Sequence, residues 1–144
     1  MSGKGRMNNV LLDINILLYA IDEESKYFKS VQKFLSLNTN NFFTISKNIS
    51  EFLSVVTRLP HSSISIEKAL FILNDFQNSF DILYPTEESN IIFLDLLKKY
   101  KPHGLRIHDH EIISIALANN ITSIATINKK DFEHIEEIKL VSIQ

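Results

Sequence analysis

Short apolar runs alternate along this chain with segments whose apolar residues recur at helical spacing. "NVLLD" (residues 9–13) is compact and apolar up to its final acid, which predicts a buried parallel strand. Beyond it, Leu17, Leu18 and Ile21, and then Phe28, Val31, Phe34 and Leu35, predict two helices. "NFFTIS" (41–46) is the second strand. Ile49, Phe52, Leu53 and Val56 follow i, i+3, i+4, i+7 and predict a helix that Pro60 ends. Ser65 heads another helix, to about Phe76, and "DILY" (81–84) is a third strand closed by Pro85. "TEES" (86–89) has the form of a capping sequence for a helix running to about Tyr100. "KPHGLRIHD" (101–109) reads as a loop, "HEIISIALANN" (110–120) as a helix, "ITSIATI" (121–127) as a fourth strand and "KLVSI" (139–143) as a short last one. Strands separated by helices imply an α/β fold, a three-layer α/β/α sandwich around a mostly parallel sheet of four to five strands.

Composition narrows the class. The chain has 144 residues, 44% of them hydrophobic and 22% charged, without repeats or a Gly/Ser or Pro-rich linker, which suits one soluble domain. That domain is placed at residues 7–144, with residues 1–6 as a leader. The absence of cysteine excludes disulfides and thiolate metal sites and suits a reducing cytoplasm. No apolar run approaches the length of a membrane span. The formal net charge of -2 argues against bulk attraction to a polyanion but leaves room for a local basic patch.

In an open parallel sheet, ligands bind beyond the carboxyl ends of the strands, where strand order reverses. Asp13 ends the first strand, and Thr126 and Asn128 end the fourth. An acid in "VLLDINILLYA" must reach water or find a partner, because burying it alone costs several kcal/mol. It is a helix cap or a chemical group. Glu51 falls off the apolar stripe of its helix and either lines a cleft or faces water. Asp109 shares a helical face with Ile113 and Ala116, or serves as an N-cap. The α/β layout sends all three acids to one sheet edge. Converging carboxylates repel one another unless a cation is present, and an all-oxygen set selects Mg2+ or Mn2+. The usual task of such an ion is phosphodiester chemistry.

"LLDINILLYA" resembles the opening motif of the PIN-domain nucleases, an apolar strand ending in Asp with Asn two residues on. "NISEFLSVVTR" resembles their second motif, and "LRIHDHEIISIALANNITSIATINKKDF" their third and fourth, in the family's order and spacing. Single-domain chains of this length in the family are mostly VapC-like toxins. The resemblance implies a metal-dependent endoribonuclease that cuts structured RNA, tRNA or rRNA, is restrained by a cognate antitoxin, and forms a homodimer. It puts Asp13, Glu51 and Asp109 at the metal-holding positions, with Asn128 and Asp131 at or beside the fourth acidic position. Asn128 departs from that position's acidic option. Asn15 is expected to order the Asp13 loop through side-chain to backbone hydrogen bonds.

Other features are weighed against this reading. A haloacid-dehalogenase-like phosphohydrolase also begins with an Asp after an apolar strand, but needs a second acid where Asn15 stands. A receiver-type signalling domain needs a phospho-accepting Asp that "TIS" and "ILYP" do not supply. The "HDH" of residues 108–110 does not suit zinc, because adjacent helical side chains diverge by about 100°, and His61, His103 and His134 are expected at the surface. "KKYKPHGLR" (98–106) is a candidate RNA patch in which Tyr100 would stack on a base, with Lys129 and Lys130 flanking the fourth strand's end. Phe28, Phe34 and Leu35 exceed what one core face needs and are candidates for a dimer contact.

Overall fold

The computed structural model describes residues 8–143; the expected leader at 1–6 lies outside them. Among the described residues, β1 (Asn8–Leu12), β2 (Asn40–Ile45), β3 (Phe80–Leu83), β4 (Ser123–Ala125) and β5 (Lys139–Val141) form one sheet in the order β3-β2-β1-β4-β5. Every pairing is parallel. The helices are α1 (Ile14–Tyr19), α2 (Phe28–Leu35), α3 (Ser46–Arg58), α4 (Ile66–Phe76), α5 (Glu87–Tyr100) and α6 (Arg106–Ala118). None is long and apolar enough to cross a membrane.

Alternation along β1 makes the sandwich. Val10 and Leu12 face a core with Ile16, Val31, Phe34, Phe52 and Val56, built largely from α1 to α3. Leu11 faces the opposite way, into a core with Leu96, Ile113, Ala116 and Phe132, built from α5, α6 and the segment after β4. Helices therefore cover both faces of the sheet, as the alternation of elements predicts. Phe34 is buried in the first core, Leu35 packs against it and Phe28 is half-buried. Phe34 is thus taken up by the core, while Phe28 and Leu35 keep part of their surface open. The large exposed apolar residues stand elsewhere, among them Leu70 and Phe71 on α4 and Ile91 and Leu94 on α5.

Local signals place most boundaries. Ser65 caps α4 by accepting from the Lys68 N–H. Thr86 and Ser89 form a reciprocal capping box on α5, which Lys101 ends in a left-handed conformation. The reading differs from the structure between α5 and α6: the loop is short, and α6 starts at Arg106 rather than near His110. A left-handed Gly104 (φ 59°) turns the chain, and Leu105, at the N-cap, makes no side-chain capping bond, so the usual capping signal is missing. Only Ser123–Ala125 of "ITSIATI" pair as strand.

Candidate active site

β1 is the central strand: the chain runs outward through β2 and β3, then crosses back past β1 to β4 and β5 on its other side. Asp13 and Thr126 follow the adjoining ends of β1 and β4, at that reversal of strand order. Asp13 is only 6% exposed. Its Oδ1 accepts from the Ile14 N–H at 2.9 Å, which makes it the N-cap of α1. Its Oδ2 accepts from the Thr126 hydroxyl at 2.8 Å and the Asn15 amide at 3.3 Å. Asp13 is thus a cap whose second oxygen is engaged by a side chain from beyond its own helix. Two lone pairs on each oxygen leave Oδ1 one further acceptor site.

The surrounding polar groups hold this carboxylate still. The Thr126 hydroxyl accepts from the Asn15 amide (3.3 Å) and the Asn128 N–H (3.1 Å), while Asn15 Oδ1 accepts from the Ile127 N–H (3.2 Å). Asn15 thus bonds the Asp13 carboxylate itself rather than the loop backbone expected, and its bond with the Ile127 N–H ties the loop to the end of β4. From the other side, the buried Thr44 hydroxyl and Asn48 amide both donate to the Leu12 carbonyl, at 2.9 and 3.2 Å. Sequence reasoning missed Thr44 and Asn48. The available signal was the Asn at the head of "NISEF", polar on a helix that packs onto the sheet.

Other acids gather by charge rather than by contact. Burial raises the Asp13 carboxyl above its ordinary range, against the opposing hydrogen bonds from Thr126 and Ile14, and the charges of Asp131 and Glu51 add to the rise. Asp109 is raised from 3.8 to about 6, first by partial burial, then by Asp131 and Asp13, with Arg106 opposing. Asp109 stands in the first turn of α6, inside the helix rather than at its cap, aligned with the buried Ile113 and Ala116. Glu51 lies one turn deeper into α3 than a first-turn position and is exposed. Asp131, in the 3-10 turn Lys129–Asp131, belongs to the group, since it acts on both Asp13 and Asp109. Asn128 is exposed and joins through its backbone N–H.

The donor chemistry fits a hard divalent cation: carboxylate oxygens of low mutual tolerance, one of them dehydrated, in a chain without cysteine. The chelate is not closed. Among the described residues no three His, Asp or Glu side chains stand as a group able to hold an ion.

Two expectations for the flanks are corrected. The Tyr100 hydroxyl donates to Glu137 Oε1 (2.6 Å) and accepts from the Glu136 N–H (2.8 Å), while its ring packs on His110 and His134. Lys99 pairs with Glu136 and Glu137. The Tyr100 ring is therefore engaged within the protein, whereas Lys99, 48% exposed, stays at the surface in its pairs. His134 is exposed as expected, but its Nε2 lies 3.3 Å from Nε2 of the fully buried His110. His110 Nδ1 faces the Arg106 carbonyl at 2.9 Å and must carry the proton there, so His134 donates to His110. These imidazoles form a structural pair.

Comparison with known proteins places the chain. Residues 10–138 match the family model of the PIN domain, and the chain belongs to that family. A search of curated protein sequences returned no match. Among solved structures, a DNA-bound VapBC complex from Salmonella typhimurium aligns over 96% of this chain and 100% of that one, with a TM-score of 0.72 and 20% identity. VapBC2 from Rickettsia felis, bound to a promoter DNA fragment, aligns over 92% and 97%, with a TM-score of 0.69 and 23% identity. VapC20 of Mycobacterium tuberculosis, described as a sarcin-ricin loop cleaving toxin, aligns over 88% and 95%, with a TM-score of 0.68 and 7% identity. The fold is that of the VapC-like toxins.

Proposed function

We propose that this protein is an Mg2+- or Mn2+-dependent endoribonuclease that hydrolyses phosphodiester bonds of structured RNA, tRNA or rRNA, as the cytoplasmic toxin of a toxin–antitoxin pair. The observation that carries this is the convergence of Asp109, Asp131 and Glu51 in charge on a buried, immobilised Asp13 at the strand-order reversal. A divalent ion bound there supplies a Lewis acid that lowers the pKa of a water and neutralises charge on the phosphate. Asp13 and Asp109 would hold it directly, and Glu51 directly or through water. Asp131 adds negative charge, and Asn128 offers a neutral carbonyl where the family's pattern allows an acid. Thr126 and Asn15 keep the Asp13 oxygens aimed, and Thr44 and Asn48 keep the strand end that carries them in place. Such positioning matters because misplacing a reacting group by about 1 Å costs on the order of a hundredfold in rate.

Membership of the PIN family argues against the phosphohydrolase and receiver alternatives, and Asn15 is engaged by Asp13, Thr126 and Ile127 rather than free for acid catalysis. The likeness to toxin–antitoxin complexes supports an antitoxin partner. An apolar cleft of about 490 Å³ between α1, α3 and α4, lined by Leu18, Ile21, Val55, Leu59 and Ile64, is the surface we assign to it. The homodimer is assigned to the exposed apolar residues of α4, Leu70 and Phe71. The test of function is cleavage of total RNA by purified protein. Mn2+ should support it, EDTA should stop it, and Asp13→Asn should abolish it while circular dichroism stays unchanged; cleavage by that variant would end the proposal.

A further inference from the structure

Among the acids of the site stands one cation that the sequence reading left in a loop. Arg106, in the first turn of α6, places its NH1 3.3 Å from Asp131 Oδ1. Both side chains keep access to solvent, at 51% and 37% exposure, so the pair sits at the mouth of the site. Exposed pairs of this kind are weak and exchange partners readily. The backbones beneath them are held firmly. The Arg106 carbonyl accepts from the buried His110, His110 accepts from His134, and the rings of both pack on Tyr100. The Tyr100 hydroxyl in turn binds Glu136 and Glu137. This chain of contacts joins α6, the end of α5 and the segment that follows Asp131. It fixes where Arg106 and Asp131 meet and leaves the guanidinium itself free to turn.

We propose that Arg106 is the resident counter-cation of the acid site, competing with the divalent ion for Asp131 and turning to an RNA phosphate when that ion enters. The inference rests on the metal-dependent nuclease reading. A guanidinium can do both jobs, because its planar donor fork matches carboxylate and phosphate alike. The exchange is also favoured by charge: two cations crowded on one set of acids repel, and the phosphate brings a fresh anion.

The experiment compares wild type, Arg106→Gln and Arg106→Lys by calorimetric titration with Mn2+ alone, then by RNA cleavage. The core contact of Arg106 is made by its carbonyl, so these variants should fold, and melting temperature checks that they do. Removing the competing charge should tighten Mn2+ binding by Arg106→Gln on the order of fivefold, with Arg106→Lys near wild type. The same Arg106→Gln variant should show a raised KM for RNA with a smaller change in kcat, since a phosphate contact is lost. Unchanged or weaker Mn2+ binding by Arg106→Gln, or an unchanged KM, would overturn the exchange while leaving the nuclease reading intact. Failure of wild type itself to bind Mn2+ would defeat that reading, and the exchange with it.

Discussion

Replacing Asp109 by Asn removes a charge that the metal-free protein holds at a cost. Folding takes this carboxyl from 3.8 to about 6, by partial burial first and by the charges of Asp131 and Asp13 next. The folded chain therefore binds the proton more tightly than the unfolded chain. Its stabilising contribution is complete below pH 3.8 and is lost as pH rises through about 6. At ~1.4 kcal/mol per tenfold, the rise amounts to about 3 kcal/mol for a carboxyl shielded from water. Asp109 is half-buried, and screening reduces this to about 1 to 1.5 kcal/mol above neutrality. An amide carries no such penalty. Asp109→Asn should therefore melt roughly 3 to 5 °C above wild type near pH 7.5 in EDTA, by scanning calorimetry. The gap should close towards pH 4, and comparing both chains at each pH cancels the other titrating groups. Saturating Mn2+ should reverse the order, because binding to the native state stabilises only the chain that binds. A variant that melts at or below wild type in EDTA, or a gap indifferent to pH, would refute the reasoning.

Three other outcomes follow from the same geometry. Thr126→Val strips Asp13 of its 2.8 Å donor and leaves the Asn128 N–H without its acceptor; urea unfolding should show a loss of about 1 to 3 kcal/mol, and cleavage should fall. His134 titrates below its usual 6.5, through partial burial and the neighbouring His110 and Arg106, so its contribution is present above pH 6.5 and lost as pH falls below that value. His134→Gln should flatten the acid limb of the stability curve measured by urea titration. Phe71, 75% exposed on α4, should be dispensable for the fold; Phe71→Asp should shift sedimentation from dimer to monomer, and a wild type already monomeric at micromolar concentration would remove this assignment.

The legible parts of the fold were those with a local cause. α4 and α5 were placed by Ser65 and by the Thr86 and Ser89 box, because capping bonds span three residues and leave their donors and acceptors in the sequence. α6 was entered too late because its first turn has no side-chain cap and follows Pro102 and Gly104, which read as loop. That late start left Arg106 in a connection, as the last residue of the candidate RNA patch, and made Asp109 look terminal. Asp13 was identified because an acid closing an apolar strand has few explanations. Thr44 and Asn48 stayed invisible because the acceptor they share, the Leu12 carbonyl, is a backbone atom on another strand.

By itself, the sequence determined the alternation of elements, the two-sided burial of β1 and the delivery of Asp13 to a strand end, all consequences of hydrophobic period and local capping. The tertiary structure decided which distant groups meet there. Thr126 is 113 residues from the carboxylate it holds. Asp131, set beside the fourth acidic position by the family resemblance, met Arg106 only once α6 and the 3-10 turn lay side by side. The Tyr100 ring was taken up by His110 and His134 in the same packing. Charge and hydrogen bonding depend on separation through space and on the water left between groups, and neither quantity is carried by spacing along the chain.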